Sequence, residues 1–237
     1  MTPRGVLRDA LGVGLATGAY GVSYGAVAVA SGLSVLQACA LSVLLFSGGS
    51  QFALVSVVAG GGAAATGVAT AGLLGVRNAV YGLRMAPLVR PRGWGRAVAA
   101  HLTIDESTAM AIRQDEPGRA RLAFWSTGLS VFVWWNAATL VGALATRAVG
   151  DPGVLGLDAA VPAAFIALLW PALRAADARV VALVGLVVAL ALSPLTPAGV
   201  PVLAAGAGAI VVGLVRTRPT ARHRHRRPAG PAEGEHG

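Results

Sequence analysis

The chain has 237 residues, 55% of them hydrophobic and only 12% charged, with a mean hydropathy of +0.69. Soluble globular chains carry about 25% charged residues, so this one lacks a soluble domain's polar coat and would leave large apolar patches in water; the fold class predicted is all-α, a polytopic integral membrane protein. Its net charge of +9 comes entirely from arginine, clustered between apolar runs as in cytoplasmic loops, which argues against a nucleic-acid binder.

Apolar runs long enough to span a bilayer, about 17–25 residues, occur near 10–30, 35–59, 63–83, 122–146, 154–173, 178–193 and 198–215. About six or seven transmembrane helices are therefore expected. The first run ends in "AVA" at 28–30, which looks like a signal-peptidase site; the further spans behind it favour an uncleaved first helix. Glycine and alanine are abundant, which suits close helix–helix contact in lipid. Cys39 stands alone inside the second run and reads as a small buried hydrophobe. The segment 97–112 is only half apolar and holds His101, Asp105 and Glu106; it is predicted to be a short interfacial or re-entrant helix.

The arginine-bearing loops give a partial topology. Arg90, Arg92 and Arg96 form one cluster, Arg113, Arg119 and Arg121 a second, Arg174 and Arg179 a third. All fit the cytoplasmic side if 97–112 does not cross. Arg4 and Arg8 conflict with them, because three crossings before Arg90 would put the N-terminus outside. Either one early run does not fully cross or the N-terminus is external. An internal repeat is suggested by "YGAVAVASGLSVLQACALSVLLF" (24–46) and "VGALATRAVGDPGVLGLDAAVPAAF" (141–165). Each has a small-residue span end, a glycine-containing turn and a new span reaching a Phe. The membrane domain is expected over 1–215. The Pro-, Arg- and Gly-rich tail over 216–237 is expected to be disordered and to lie near anionic lipid.

Polar residues inside apolar runs are functional candidates, because a charge at mid-bilayer costs on the order of 2.5–3.5 kcal/mol on insertion scales. In "LLGVRNAVYGLRMAP" (73–87), Arg77, Tyr81 and Arg84 share one helical face, with Asn78 adjoining. The guanidinium's planar fork matches a carboxylate, either a substrate's or an internal acid's; otherwise the span ends near 76 and Arg77 snorkels to the interface. In "FSGGSQFALVS" (46–56), two glycines weaken the helix by about 1 kcal/mol each. Ser47, Ser50 and Gln51 surround them, as in the broken helices that build midplane sites or in a close helix crossing. In "HLTIDESTAMA" (101–111), Asp105 or Glu106 is a candidate proton carrier or a solvated interfacial acid. Asp158, in "GLDAAVPAAFIALLWP" (156–171), reads as a helix N-terminal acid, with Pro162 near the first turn. Trp134 and Trp135 lie mid-span with Asn136 and either wall an apolar pocket or pack.

No acid has metal-ligand spacing, and no nucleophile–base set, P-loop or dinucleotide fingerprint is visible; "GGGAAATG" at 60–67 lacks the Walker lysine. A non-enzyme is expected.

Five segments in order, "GVSYGAVAVASGLS" (21–34), "FSGGSQFA" (46–53), "VRNAVYGLRMAP" (76–87), "LTIDESTA" (102–109) and "GLDAAVPAAFIALLWP" (156–171), resemble the AzlC family, the large subunit of branched-chain amino acid permeases linked to azaleucine resistance and valine export. The resemblance implies an inner-membrane exporter of branched-chain amino acids, with a small AzlD-like membrane partner and no tightly bound cofactor. It supplies no residue roles. From the residues themselves, Arg77, Asn78 and Tyr81 are expected to hold the substrate carboxylate, and Ser47, Ser50 and Gln51 its ammonium. Asp105 or Glu106 would couple a proton. The competing expectation is a non-transporting assembly subunit or small-molecule sensor whose polar residues staple helices.

Overall fold

The computed structural model describes residues 2–149 and 172–216, together with Ile166 and Trp170. The described residues are helical, without strands: α1 (Pro3–Ala30), α2 (Val35–Leu44), α3 (Gly48–Ala59), α4 (Ala64–Val89), α5 (Gly95–His101), α6 (Asp105–Ile112), α7 (Pro117–Val149), α8 (Ala176–Leu192) and α9 (Val200–Arg216), with a short 3₁₀ turn at Ala172–Arg174. Two of them, α1 and α7, are long and apolar enough to cross a membrane. The run 154–173 lies largely outside the described residues. So do Asp158, Pro162, the second half of the 141–165 echo and the tail beyond Arg216.

Helices α1 and α7 form the spine and run parallel. Val6 packs with Ala123 at one end. Further along, Gly14 meets Ser130, Gly18 meets Trp134, and Gly25 meets Thr139 and Ala143. Glycine is needed at these crossings: a Cβ on Gly25 would overlap the Thr139 carbonyl oxygen, and one on Gly142 the Val22 carbonyl. Close backbone approach is what small residues provide where helices gain nothing from excluding water.

Two stretches turn back on themselves instead of running the length of the bundle. The run 35–59 folds as a hairpin of half-helices, where the sequence suggested one span. Helix α2 descends along the far half of α7, with Ser42 on Thr139 and Phe46 on Phe132. The chain breaks at 45–47, and α3 returns beside α4, with Ser50 near Gly75 and Leu54 against Gly67. The break follows from the sequence: Ser47 is extended at φ −158°, ψ 94°, and Gly48 and Gly49 are poor helix formers. At the top of α3, Gly61 takes φ +74°, and the Gly61 and Gly62 N–H groups bond back to Val58 and Val57, a helix stop that favours glycine.

The segment 95–112, expected as one short helix, makes a second hairpin from the opposite end. Helix α5 rises until His101 meets Phe132 and Leu102 meets Gly128. After a break at 102–104, α6 descends until Met110 joins Val6 and Ala123. Hydroxyls replace the missing ladder. Ser107 Oγ accepts from the Ile104 N–H at 3.1 Å and donates to the Leu102 carbonyl at 2.7 Å, and Thr103 Oγ1 donates to Ala99 at 2.7 Å. Internal satisfaction of this kind lets irregular backbone sit deep in an apolar bundle.

The first six helices thus repeat one order in opposite directions: a long helix, a half-helix, a three-residue break and a returning half-helix. The units are 3–59 and 64–112, a different pairing from the echo of 24–46 with 141–165. The hairpins also relieve the charge conflict. Arg121 Nε donates to the Leu88 carbonyl at 3.1 Å, tying the end of α4 to the start of α7. Arg4, Arg8, Arg90, Arg92, Arg96, Arg113, Arg119 and Arg121 therefore flank one end of the bundle, because 35–59 does not traverse it.

Candidate functional site

Both breaks open on one central cavity of about 280 Å³. The sides of α1 and α4, the N-terminal turns of α3 and α6 and the middle of α7 enclose it. Its volume lies near the small end of ligand pockets, which run roughly 300–1,000 Å³. One wall is apolar, formed by Phe46, Phe52, Ile104, Val131 and Trp135; the other carries Thr17, Ser47, Arg77, Asn78, Asp105 and Glu106.

Arg77 sits midway along α4 rather than at its end, so the helix continues past it to Val89. Its Nη2 lies 2.7 Å from Asp105 Oδ2, and both side chains are partly exposed and line the cavity. Among the described residues this pair joins α4 to the first residue of α6. Tyr81, one turn further along α4, lies near the same carboxylate. Glu106 is half-buried and lines the cavity together with Thr17 of α1.

The α3 side of the cavity is assembled around Ser47. Asn78 Nδ2 donates to Ser47 Oγ at 3.4 Å, and Ser47 Oγ donates to Ser50 Oγ at 3.2 Å. Asn78 Oδ1 has no hydrogen-bond partner. Ser47 precedes α3 without a side-chain cap bond, and Gly48 and Gly49 bring the partly positive start of α3 to the cavity lining. Gly49 approaches the guanidinium closely enough that a Cβ there would lie 3.7 Å from Arg77 Nη2. Helix α6 also presents its N-terminus, but with Asp105 and Glu106 in the first turn it brings acids to that positive end. The two half-helix ends are therefore electrostatically unlike.

The sequence candidates separate in space. Ser47, Arg77, Asn78, Asp105 and Glu106 line the cavity. Ser50 and Tyr81 lie outside the lining, Ser50 bonded to Ser47 and Tyr81 near Asp105. Gln51 is 1% exposed and fully engaged: its Nε2 donates to the Leu41 and Ser42 carbonyls at 3.2 Å each, and its Oε1 accepts from Trp135 Nε1 at 3.0 Å. It staples α3 to the end of α2 and to α7, and it does not line the cavity. Arg84 is exposed on α4 away from the lining. Trp135 both walls the cavity and packs, stacking on Tyr24 with Phe52 edge-on; Trp134 is largely exposed.

Thr17, Tyr20, Phe46 and Phe52 were not legible as site residues. Thr17 and Tyr20 sit in an Ala- and Gly-rich helix whose pattern carries no polar signal, and only the packing of α1 against α7 and α3 brings them in.

The family model described as AzlC protein matches residues 12–149, the stretch that contains both breaks, the cavity and the α1–α7 spine. No curated protein matches the chain. No solved structure matches it. AzlC is a membrane transport family associated with branched-chain amino acids rather than an enzyme family. With a match over more than half of its length, in the part that builds the cavity, the chain belongs to the AzlC family.

Proposed function

We propose that this chain is a secondary exporter of branched-chain amino acids in the inner membrane, working with a small AzlD-like membrane subunit. The observation that carries the reading is the convergence of Arg77, Asp105 and the α3 N-terminus on one small cavity with an apolar wall. An amino acid zwitterion needs a cationic partner, an anionic partner and a place for its side chain. Midplane sites built from discontinuous helices supply these through helix ends and unwound backbone.

In this reading the substrate carboxylate competes with Asp105 for Arg77 and for the Gly48 and Gly49 N–H groups. Asp105, once released, takes the substrate ammonium or a proton. Glu106, on the cavity wall with Thr17, is the second acid available for coupling to a proton or membrane-potential gradient. Phe46, Phe52, Val131 and Trp135 receive the branched side chain. Ser50, Gln51 and Tyr81 act by holding these groups in position. In this reading the membrane lies across α1, α4, α7, α8 and α9, the hairpins α2–α3 and α5–α6 enter it from either side, and the arginine-rich end is cytoplasmic.

The test is flux of labelled valine in proteoliposomes holding the full chain, with and without the small subunit. Transport that vanishes in Arg77→Ala at normal expression supports the reading; unchanged transport in that variant removes the docking role. A second reading, an assembly subunit or sensor, is favoured by the Arg77–Asp105 pair being closed on itself. It expects no flux in any preparation and disturbed folding or partner binding in Arg77→Ala.

A further inference from the structure

The central cavity has unequal ends. Toward the arginine-rich end, a groove of about 740 Å³ runs between α4, α5 and α7, with Arg90, Arg92 and Arg96 at its mouth. Among the described residues, Asn78 alone lines both the groove and the central cavity. Its single hydrogen bond, to Ser47, is long at 3.4 Å, and its Oδ1 is unpartnered. Toward the opposite end, Tyr24, Phe52 and Trp135 close the cavity as an aromatic cluster with ring centroids 5.6–6.5 Å apart. Behind it lie Gln51, with three hydrogen bonds, and the Ser42–Thr139 pair at 3.2 Å. All of these side chains are at least nine-tenths buried.

We propose that Asn78 is the gate between the cavity and the arginine-end groove, and that the Tyr24–Phe52–Trp135 cluster, latched by Gln51, is the seal at the other end. This conformation is one of two access states. The inverted units suggest how the other forms. Asn78 and Thr17 lie at equal distances from the starts of α4 and α1, and each faces the other unit's hairpin at the central cavity, Asn78 bonding Ser47 and Thr17 lining the cavity with Glu106. Rocking one hairpin while the other stays packed exchanges the thin barrier with the thick one. The inference rests on the transport reading for its purpose, but access is measurable without transport.

The experiment uses the full chain with Cys39→Ala and a reporter Val131→Cys in the cavity wall, in sealed vesicles of both orientations, with a membrane-impermeant maleimide. Modification is expected from the arginine-rich face only. It should be about tenfold faster in Asn78→Ala, the scale of one lost hydrogen bond, and slower in Asn78→Leu, which fills the opening. Gln51→Ala should admit the reagent from the opposite face. Modification chiefly from the opposite face, or a rate indifferent to both Asn78 variants, overturns the proposal. Trp94→Cys, exposed at the arginine-rich end, reports folding and orientation in every sample. Vesicles that show this access pattern yet carry no amino acid would reject the transport reading while leaving the gate in place.

Discussion

Arg77 and Asp105 meet at 2.7 Å across a cavity that neither helix could enclose alone. The guanidinium comes from the middle of a continuous helix and the carboxylate from the first residue of a half-helix that returns to the end it came from. The pair is open on one side, so it is available for exchange with a ligand as well as for holding α4 to α6.

The first prediction concerns that pair. Arg77→Lys keeps the charge but loses the planar fork, and it should lower valine transport about tenfold or more, the scale of one charge-assisted hydrogen bond. Asp105→Asn should do the same while leaving Arg77 unpaired. Initial rates in proteoliposomes at matched protein content are the measurement. Wild-type rates in both variants would make the pair a structural staple alone.

Gln51 should behave as a fold residue. Replacing it with Ala leaves Trp135 Nε1 without its partner inside the bundle, and an unsatisfied buried group costs about 1–3 kcal/mol. The expected result is a lower melting temperature in detergent. Gln51→Glu keeps the acceptor for Trp135 but removes the donors to Leu41 and Ser42, so it should be destabilised as well. A melting temperature equal to the parent in both variants would contradict the staple.

The helix crossings separate two classes of glycine. Gly25→Ala and Gly142→Ala push a Cβ into opposing backbone and should abolish the monodisperse peak in fluorescence-detected size exclusion. Gly12→Ala and Gly72→Ala meet nothing within 4 Å and should be neutral or stabilising by about 0.5–1 kcal/mol. A monodisperse Gly25→Ala would mean that α1 and α7 do not pack this closely.

Topology gives a direct test of the hairpins. Ala63 and Trp94 are exposed residues at opposite ends of α4. In a Cys39→Ala background, Trp94→Cys and Gln114→Cys should label from one face of the membrane and Ala63→Cys and Leu36→Cys from the other. Trp94 and Gln114 on opposite faces would mean that 95–112 crosses; Leu36 and Ala63 on opposite faces would mean that 35–59 does.

The sequence alone determined the environment and the candidate chemistry. A chain with half the usual charge, few aromatics and abundant glycine is fit for lipid, and residues costly to bury there mark themselves. Arg77, Ser47, Asp105 and Glu106 were visible for that reason, as were the glycines at 48 and 49 that weaken the helix. Hydropathy cannot say whether an apolar stretch crosses or turns back, because both forms bury the same side chains; the run 35–59 read as one span on that account. Tertiary structure decided the direction of each half-helix, and with it which end the arginines share. It also separated Gln51, whose amide is saturated by backbone and Trp135, from Asn78, whose amide is not. Hydrogen-bond saturation depends on what lies across the interface, and the partners here are distant in sequence: Gln51 with Trp135, Asn78 with Ser47, Arg77 with Asp105.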